Sequence, residues 1–199
     1  MNNLIFSDKD ISILADILDN NEVICVPTDT VYGLCAKTNS YLAYNNLVNI
    51  KDRPNNKLFP IMCSDLNQIK EIALINSKTE KLIKKYMPGP ITIILKIKDN
   101  PNNYINLDQD TIAVRLATSA TLRKLIELLD CPLFMTSANK SGYSPCKNID
   151  EVLKNFSNLK GVLAGDVTYS IPSTIVDCVG DDFKILREGP ITVDDINNI

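Results

Sequence analysis

Two positively charged residues, Lys51 and Arg53, are separated by a single residue, and Lys57 follows four residues later. Because Pro54 disfavours helical backbone at the residue before it, we expect extended chain here, with Lys51 and Arg53 on one side. Arginine offers a planar fork of donors and lysine a compact charge, so the pair suits a triphosphate. A solvated basic turn is the alternative interpretation.

Two loops rich in hydroxyl and amide side chains follow apolar runs. The first, VPTDTVYGLCA at residues 26–36, offers a polar triplet at 28–30 before a predicted turn at Tyr32 and Gly33. The second, MTSANKSGYSPC at residues 135–146, has small residues whose backbone N–H groups can approach an anion closely. Neither contains the phosphate-loop pattern GxxxxGK[ST]. The loops indicate a site for a small polar ligand, with ordinary connecting turns as the alternative.

Two arginines each close a run of β-branched residues. Arg115 lies in IAVRLA and Arg187 in ILREGPI, while Ser173 lies in the similar segment IPSTIVD. Because open sheets bind ligands at strand ends, these side chains are candidates for the same site. Surface ion pairing, for example of Arg187 with Glu188, is the alternative.

The sequence contains no histidine, which excludes Ser-His-Asp and Cys-His catalysis. Cations, backbone amides and hydroxyls must then carry any chemistry, and this favours reactions of phosphates. The net charge is −3, from 21 basic and 24 acidic residues. A protein held to nucleic acid by charge alone is usually basic.

The six cysteines show no C-x-x-C spacing, so we expect no zinc site. The first ten residues lack the features of a secretory signal, and no apolar run approaches the roughly 20 residues of a membrane span. We therefore expect a cytoplasmic protein with reduced thiols.

Apolar patterning predicts a single domain over residues 1–199, in which strands and helices are mixed around one sheet. The predicted strands are Val23–Val26, Ile91–Ile97, Ile112–Leu116, Leu133–Met135, Gly161–Leu163, Ile175–Cys178 and Phe183–Leu186. The predicted helices are Lys9–Asn20, Tyr41–Ile50, Leu66–Ile72, Lys78–Tyr86, Ala120–Leu129 and Asn148–Asn155. Strands and helices do not alternate strictly, so we expect a mixed sheet. The stretch KYMPGPITIILK at 85–96 is expected to be structural, its prolines ending a helix and starting a strand.

Together these segments resemble the YrdC/TsaC family of L-threonylcarbamoyladenylate synthases, in its short single-domain form. The matching segments are PTDTVYGL, KDRP followed by LFPIM, YMPGPITIIL, TIAVRLA, TSANKSG, PSTIVD and ILREGPI. They occur in the family's order and cover roughly residues 5–191. The resemblance implies an α/β fold, a YrdC-like open twisted mixed sheet with flanking helices around a basic cavity.

The resemblance implies a nucleotidyltransferase that makes L-threonylcarbamoyl-AMP from L-threonine, bicarbonate or CO₂, and ATP. Pyrophosphate would be released, and the product would serve threonylcarbamoyladenosine modification of tRNA. Mg²⁺ would accompany ATP, and downstream threonylcarbamoyl-transfer proteins and weak tRNA binding would complete the partners. Because the carbamate intermediate is labile in water, we also expect a lid, placed at residues 55–57.

The resemblance also implies roles for individual residues, with Lys51 and Arg53 as the catalytic pair and no metal ligand from the protein. The residues that would bind ATP are Lys51, Arg53, Lys57, Thr111, Ser137, Asn139, Cys146 and Arg187. The residues that would bind threonine are Thr30, Tyr32, Arg115 and Ser173, with Arg115 on the carboxylate and Tyr32 as a wall. The chain departs from the family at Met62, where many members carry histidine, at Cys146, often Thr or Ser, and at Lys57, often Asn.

Three other interpretations stay open at this point. The first is a double-stranded RNA- or tRNA-binding module of the same fold, against which the net charge weighs. The second is a YciO-type paralogue, which has the same fold and a different biochemical function. The third is a carbamoyl-AMP-forming domain of the hydrogenase-maturation type, whose zinc-finger-like cysteines are missing here.

Overall fold

The computed structural model describes residues 5–53, 57–98 and 105–199, and its described strands form one sheet. The strands are β1 (Ile5–Phe6), β2 (Ile24–Pro27), β3 (Tyr32–Lys37), β4 (Ile61–Cys63), β5 (Ile91–Lys96), β6 (Thr111–Leu116), β7 (Leu133–Ser137), β8 (Gly161–Leu163), β9 (Thr174–Asp177) and β10 (Lys184–Arg187). Their order in the sheet is β1-β8-β2-β3-β7-β4-β6-β5-β9-β10. Parallel pairs such as β4 with β6 stand beside antiparallel pairs such as β3 with β7. The predicted mixed sheet is confirmed.

Helices connect the strands and cover both faces of the sheet. They are α1 (Ile11–Asp19), α2 (Tyr41–Lys51), α3 (Leu66–Ile72), α4 (Ser77–Tyr86), α5 (Ala120–Leu129), α6 (Ile149–Asn155) and α7 (Val193–Asn197). Most begin at a residue whose side chain accepts a backbone N–H of the first turn, as Ser119 does for α5. The sequence therefore encodes where these helices begin.

Alternate residues of the central strands pack into two different cores, as the two-residue period of a strand requires. On β7, Phe134 joins one core while Leu133 and Met135 join the other. The first core packs α2 and α4 against the sheet, and the second packs α1 and α5. Packing on both faces fixes the register of these strands, and with it the positions of their end residues.

Several predicted elements need correction. The turn predicted at Tyr32 and Gly33 is wrong, because both residues lie in β3 and the turn comes earlier. The extended chain predicted for Lys51 is also wrong, because Lys51 is the last residue of α2. Asp52 ends that helix with φ of 53°, a left-handed conformation that aspartate tolerates. The short elements β1 and α7 were not predicted.

All six cysteines are buried thiols without disulfides. In the described ranges, no cluster of three or more His, Cys, Asp or Glu side chains could hold a metal ion. No helix in that part of the chain has the length and apolar character of a membrane span.

Candidate active site

A cavity of about 210 Å³ is lined by residues of β3, β4, β6, β7, β9 and β10 and of the segments beside them. Seven of the predicted site residues line it, from segments far apart in sequence: Thr30, Tyr32, Arg53, Arg115, Ser137, Ser173 and Arg187. Its charged lining residues are all arginines, and no carboxylate lines it among the described residues. The cavity is therefore suited to an anion.

The turn between β2 and β3 presents Thr30 to the cavity. Thr28 forms this turn, since its hydroxyl donates to the carbonyl of Val31 at 2.6 Å and accepts the N–H groups of Thr30 and Val31. The hydroxyl of Thr30 lies 2.9 Å from that of Thr28. Thr28 thus forms the turn that holds Thr30 at the cavity.

Arg115, on β6, is buried and held by three partners. Its Nε donates to the carbonyl of Gly89 at 3.1 Å, and its Nη1 to the hydroxyl of Thr30 at 3.0 Å. Its Nη2 forms an ion pair with Asp29. Burial lowers the pKa of the Arg115 guanidinium, and the charge of Asp29 opposes that shift. Arginine remains charged despite such shifts, so this end of the cavity holds a fixed cation.

The segment at 85–96 ends α4 and begins β5 as predicted, and it also contributes to the cavity, which was not expected. The carbonyl of Gly89 orients Arg115, and Thr92 on β5 lines the cavity. The hydroxyl of Thr92 lies 2.8 Å from that of Ser173, and both residues are buried. Thr92 had no sequence signal of its own, because it stands in an ordinary β-branched strand.

Arg187, at the end of β10, turns inward instead of pairing with Glu188. Its Nε and Nη2 donate to the carbonyl of Ser173 at 3.0 and 2.8 Å. Glu188 accepts the backbone N–H of Val193. Burial lowers the pKa of Arg187. The surface ion pair offered as an alternative is therefore absent between these two residues.

The backbone beside Ser173 is fixed by Thr174, which is fully buried. The Thr174 hydroxyl donates to the carbonyl of Ile191 at 2.7 Å and accepts the N–H groups of Gly189 and Ile191. A Cβ at Gly189 would lie 2.4 Å from the carbonyl oxygen of Pro172. Close contact between these two segments thus needs glycine here and places Arg187 over Ser173.

Lys51, Ser137 and Asn139 form a second polar group, behind the cavity wall. The Lys51 ammonium donates to the Ser137 carbonyl at 2.5 Å, to the Ser137 hydroxyl at 3.3 Å and to Oδ1 of Asn139 at 2.7 Å. The lysine is only 3% exposed. Burial, and secondarily the neighbouring charge of Arg53, lowers the pKa of Lys51 to about 8.

Arg53 lies at the cavity wall just past α2. Its Nε donates to the carbonyl of Lys57 at 3.1 Å and its Nη2 to that of Leu58 at 2.6 Å. The guanidinium stands 4.9 Å from the ring centroid of Phe59, a cation–π contact. Burial lowers the pKa of Arg53. The charge is thus held in place before any ligand arrives.

Five predicted site residues do not line the cavity: Lys51 and Asn139, which lie behind its wall, and Lys57, Thr111 and Cys146. Lys57 is exposed and contributes only its carbonyl to Arg53. Thr111 begins β6, about 13 Å along an extended strand from Arg115. Cys146 is buried, and its backbone carbonyl accepts the N–H of Tyr32. Of the predicted lid, residues 55 and 56 lie outside the described ranges.

An apolar wall completes the cavity and was mostly missed in the sequence. It includes Met62, Met135, Ile61 and Ile175. A Cβ at Gly33 would lie 2.5 Å from the sulfur of Met135, so the methionine occupies space that only glycine leaves free. Of these residues, only Met62 could be singled out from the sequence, because many members of the family that the sequence resembles carry histidine there.

A family model described as "Telomere recombination", for Sua5, YciO and YrdC proteins, matches residues 16–189. This chain belongs to the Sua5/YciO/YrdC family. It is 37% identical, over 182 residues, to a Methanocaldococcus jannaschii protein named "Putative threonylcarbamoyl-AMP synthase". That match covers 89% of this chain and 84% of the relative.

Solved structures of the Sua5/YciO/YrdC family share the fold. P. abyssi Sua5 complexed with L-threonine superposes with a TM-score of 0.92 at 26% identity, over 98% of this chain and 60% of that one. The present chain thus spans about three fifths of the length of that relative. E. coli YciO superposes with a TM-score of 0.87 at 24% identity, over 98% of this chain and 99% of that one, which shows the fold alone.

Proposed function

We propose that this member of the Sua5/YciO/YrdC family synthesises L-threonylcarbamoyl-AMP from L-threonine, bicarbonate or CO₂, and ATP, with release of pyrophosphate. The observation that carries the proposal is the convergence of Arg53, Arg115 and Arg187 on one cavity without a carboxylate in its described lining. The M. jannaschii relative is named for this activity, and a P. abyssi relative of the same fold was solved with L-threonine.

The two substrates would occupy different ends of the cavity. Arg115 and the hydroxyl of Ser173 offer donors for the carboxylate of an amino acid, and the Thr30 oxygen at the same end offers an acceptor for its other polar groups. Arg53 and Arg187 offer positive charge for a triphosphate at the other end. The ammonium of Lys51, held by Ser137 and Asn139 behind the cavity wall, adds to that charge. Threonine and ATP would then meet between these ends.

The chemistry proceeds in two steps. The neutral amine of threonine adds to CO₂ and loses a proton, which gives N-carboxythreonine. A carboxylate oxygen of this carbamate then bonds to the α-phosphorus of ATP, and the bond to pyrophosphate breaks. Negative charge crowds around the phosphates in this step, so the fixed cations would lower the barrier, while holding both reactants together supplies much of the remainder.

Mg²⁺ would enter bound to ATP, as part of that substrate. The described residues contain no cluster of three acidic, histidine or cysteine side chains, and the cavity lining offers hydroxyls instead. This donor set fits an ion held chiefly through phosphate oxygens and water. Neutralisation of triphosphate charge is the chemistry that the ion would supply.

The product would pass to proteins that transfer the threonylcarbamoyl group to tRNA in the cytoplasm. Weak tRNA binding by this chain is part of the same proposal. Filter binding of tRNA across a salt series tests it, since phosphate contacts make binding fall steeply with salt.

The activity itself is tested by incubation with ATP, Mg²⁺, bicarbonate and each amino acid in turn. We expect pyrophosphate and the adenylate, detected by mass spectrometry, with threonine and bicarbonate together. Replacing Lys51 or Arg53 with alanine should abolish this pyrophosphate release. Wild-type turnover in the double variant would refute the phosphate-site assignment.

A further inference from the structure

Asp29 is a partly buried carboxylate outside the cavity lining, and no other side chain supplies Arg115 with a negative partner in the described ranges. One of its oxygens, Oδ1, accepts both from Arg115 Nη2 and from the Thr118 hydroxyl, the latter at 3.2 Å. Its other oxygen, Oδ2, is buried without a hydrogen-bond partner in the described part of the chain. The ion pair with Arg115 is thus carried by Oδ1 alone.

The backbone of Asp29 is itself held in place. Its carbonyl accepts the N–H groups of Thr168 at 3.0 Å and Tyr169 at 2.8 Å. The loop after β8 thereby fixes the turn that carries Asp29. The carboxylate is thus a rigid reference point for the guanidinium beside it.

The bonds of Arg115 define which of its donors remain for a ligand. A guanidinium has five N–H donors, one on Nε and two on each terminal nitrogen. Within the described structure, Nε is used by Gly89, while Nη1 and Nη2 each use one N–H, on Thr30 and Asp29. One N–H therefore remains on each of Nη1 and Nη2, and a carboxylate can accept from both terminal nitrogens of an arginine.

We propose that Asp29 is a positioning residue for the amino-acid site, holding Arg115 so that its two remaining terminal N–H groups form a fork for the substrate's α-carboxylate. This inference rests on the proposed function. Asp29 acts through Arg115 and does not touch the substrate. With Asp29 in place, the fork exists before the substrate binds, so binding does not have to order a long side chain.

Two substitutions separate the position of Arg115 from the charge of its partner. Asp29→Asn and Asp29→Ala both remove the negative charge, but only asparagine keeps an oxygen that can accept from Nη2. The amide nitrogen of asparagine would take the place of the unpartnered Oδ2, because the reverse orientation would set it against the guanidinium. Asp166→Ala is the matched control, since Asp166 is an exposed carboxylate on the same side of the protein.

The experiment measures the dissociation constants of L-threonine, L-threoninamide and ATP by calorimetry for the wild type and the three variants. We expect Asp29→Ala to weaken threonine binding by about tenfold or more relative to Asp29→Asn, the typical effect of losing one hydrogen bond to a charged group. Threoninamide lacks the carboxylate, so its affinity should change little and discrimination against it should fall in Asp29→Ala. ATP affinity should stay within about twofold throughout.

Each result decides the matter. Equal threonine affinity in Asp29→Ala and Asp29→Asn would overturn the positioning role, as would a loss of ATP affinity that parallels the loss for threonine. A wild-type protein that neither binds threonine nor releases threonine-dependent pyrophosphate would instead overturn the proposed function, and this inference with it. Restored discrimination in Asp29→Asn supports the role.

Discussion

Replacing Lys51 with methionine should remove two opposite effects of pH that one buried ammonium produces. Lys51 donates to three oxygen atoms of Ser137 and Asn139, and burial lowers its pKa from 10.5 to about 8. Methionine keeps the length and packing of the side chain but cannot bind a proton. Lys140→Met is the matched control, because Lys140 is an exposed lysine that bonds the carbonyl of Ile50 nearby.

The first effect is on the free energy of unfolding. Between pH 8 and 10.5 the unfolded chain still holds the Lys51 proton, while the folded protein loses it. Stability therefore rises with pH across this window, by at most about 3 kcal/mol for this group. Below pH 8 both states are protonated, and the contribution of Lys51 no longer changes with pH.

The second effect has the opposite sign and concerns ATP. A triphosphate favours the charged ammonium, so binding should raise the pKa of Lys51 and take up a proton at pH values above about 8. ATP affinity should then fall as pH rises through the same window, by no more than about tenfold per pH unit for one proton.

Urea unfolding and ATP calorimetry from pH 7.5 to 10 would measure both effects. Ionisable groups far from Lys51 contribute equally to both proteins, so the difference between wild type and Lys51→Met isolates Lys51 together with the Cys146 thiol, whose pKa is raised by burial and lowered in part by the charge of Lys51. As pH rises, we expect the free energy of unfolding of the wild type to increase relative to that of Lys51→Met. We expect the ATP affinity of the wild type to fall relative to that of Lys51→Met over the same range. Neither trend is expected when the wild type is compared with Lys140→Met. Parallel pH curves for wild type and Lys51→Met would refute the reasoning.

Two further predictions concern the frame of the site. Gly33→Ala should destabilise the protein by about 1–3 kcal/mol, because the added Cβ would lie 2.5 Å from the Met135 sulfur. The double variant Gly33→Ala/Met135→Ala should recover part of the lost stability, as measured by thermal unfolding. Thr174→Val should cost about 1–3 kcal/mol in urea unfolding, since buried groups at Gly189 and Ile191 lose their partner. Thr121→Val is the control and should change stability little, because Thr121 is a partly exposed residue of α5.

The fold and the members of the cavity could largely be predicted from the sequence. Apolar runs marked most strands, and polar loops followed them at Thr30, Ser137 and Ser173. The prediction of a turn where β3 begins was wrong for a physical reason. This strand is buried on both faces, so it lacks the alternation that marks a half-buried strand, and its Tyr32 and Gly33 have the composition of a turn.

The hydrogen-bond partners of the site could not be predicted. Asp29 and Arg115 are far apart in sequence, and only the placement of β6 beside the Thr28 turn brings them together. The carbonyl of Gly89 acts through its backbone, which carries no signature in the side-chain sequence. Lys51 was misplaced because the constraint of Pro54 applies to Arg53 alone, so the helix continues to Lys51.

The cavity draws on nearly the whole chain, from Thr28 to Arg187. During synthesis the amino-terminal half emerges first, yet the last wall of the site forms only when β9 and β10 pair beside β5. Ligands that need this wall can stabilise finished molecules but not fragments or nascent chains. Substrate supply would therefore protect completed copies selectively and leave truncated ones to proteolysis.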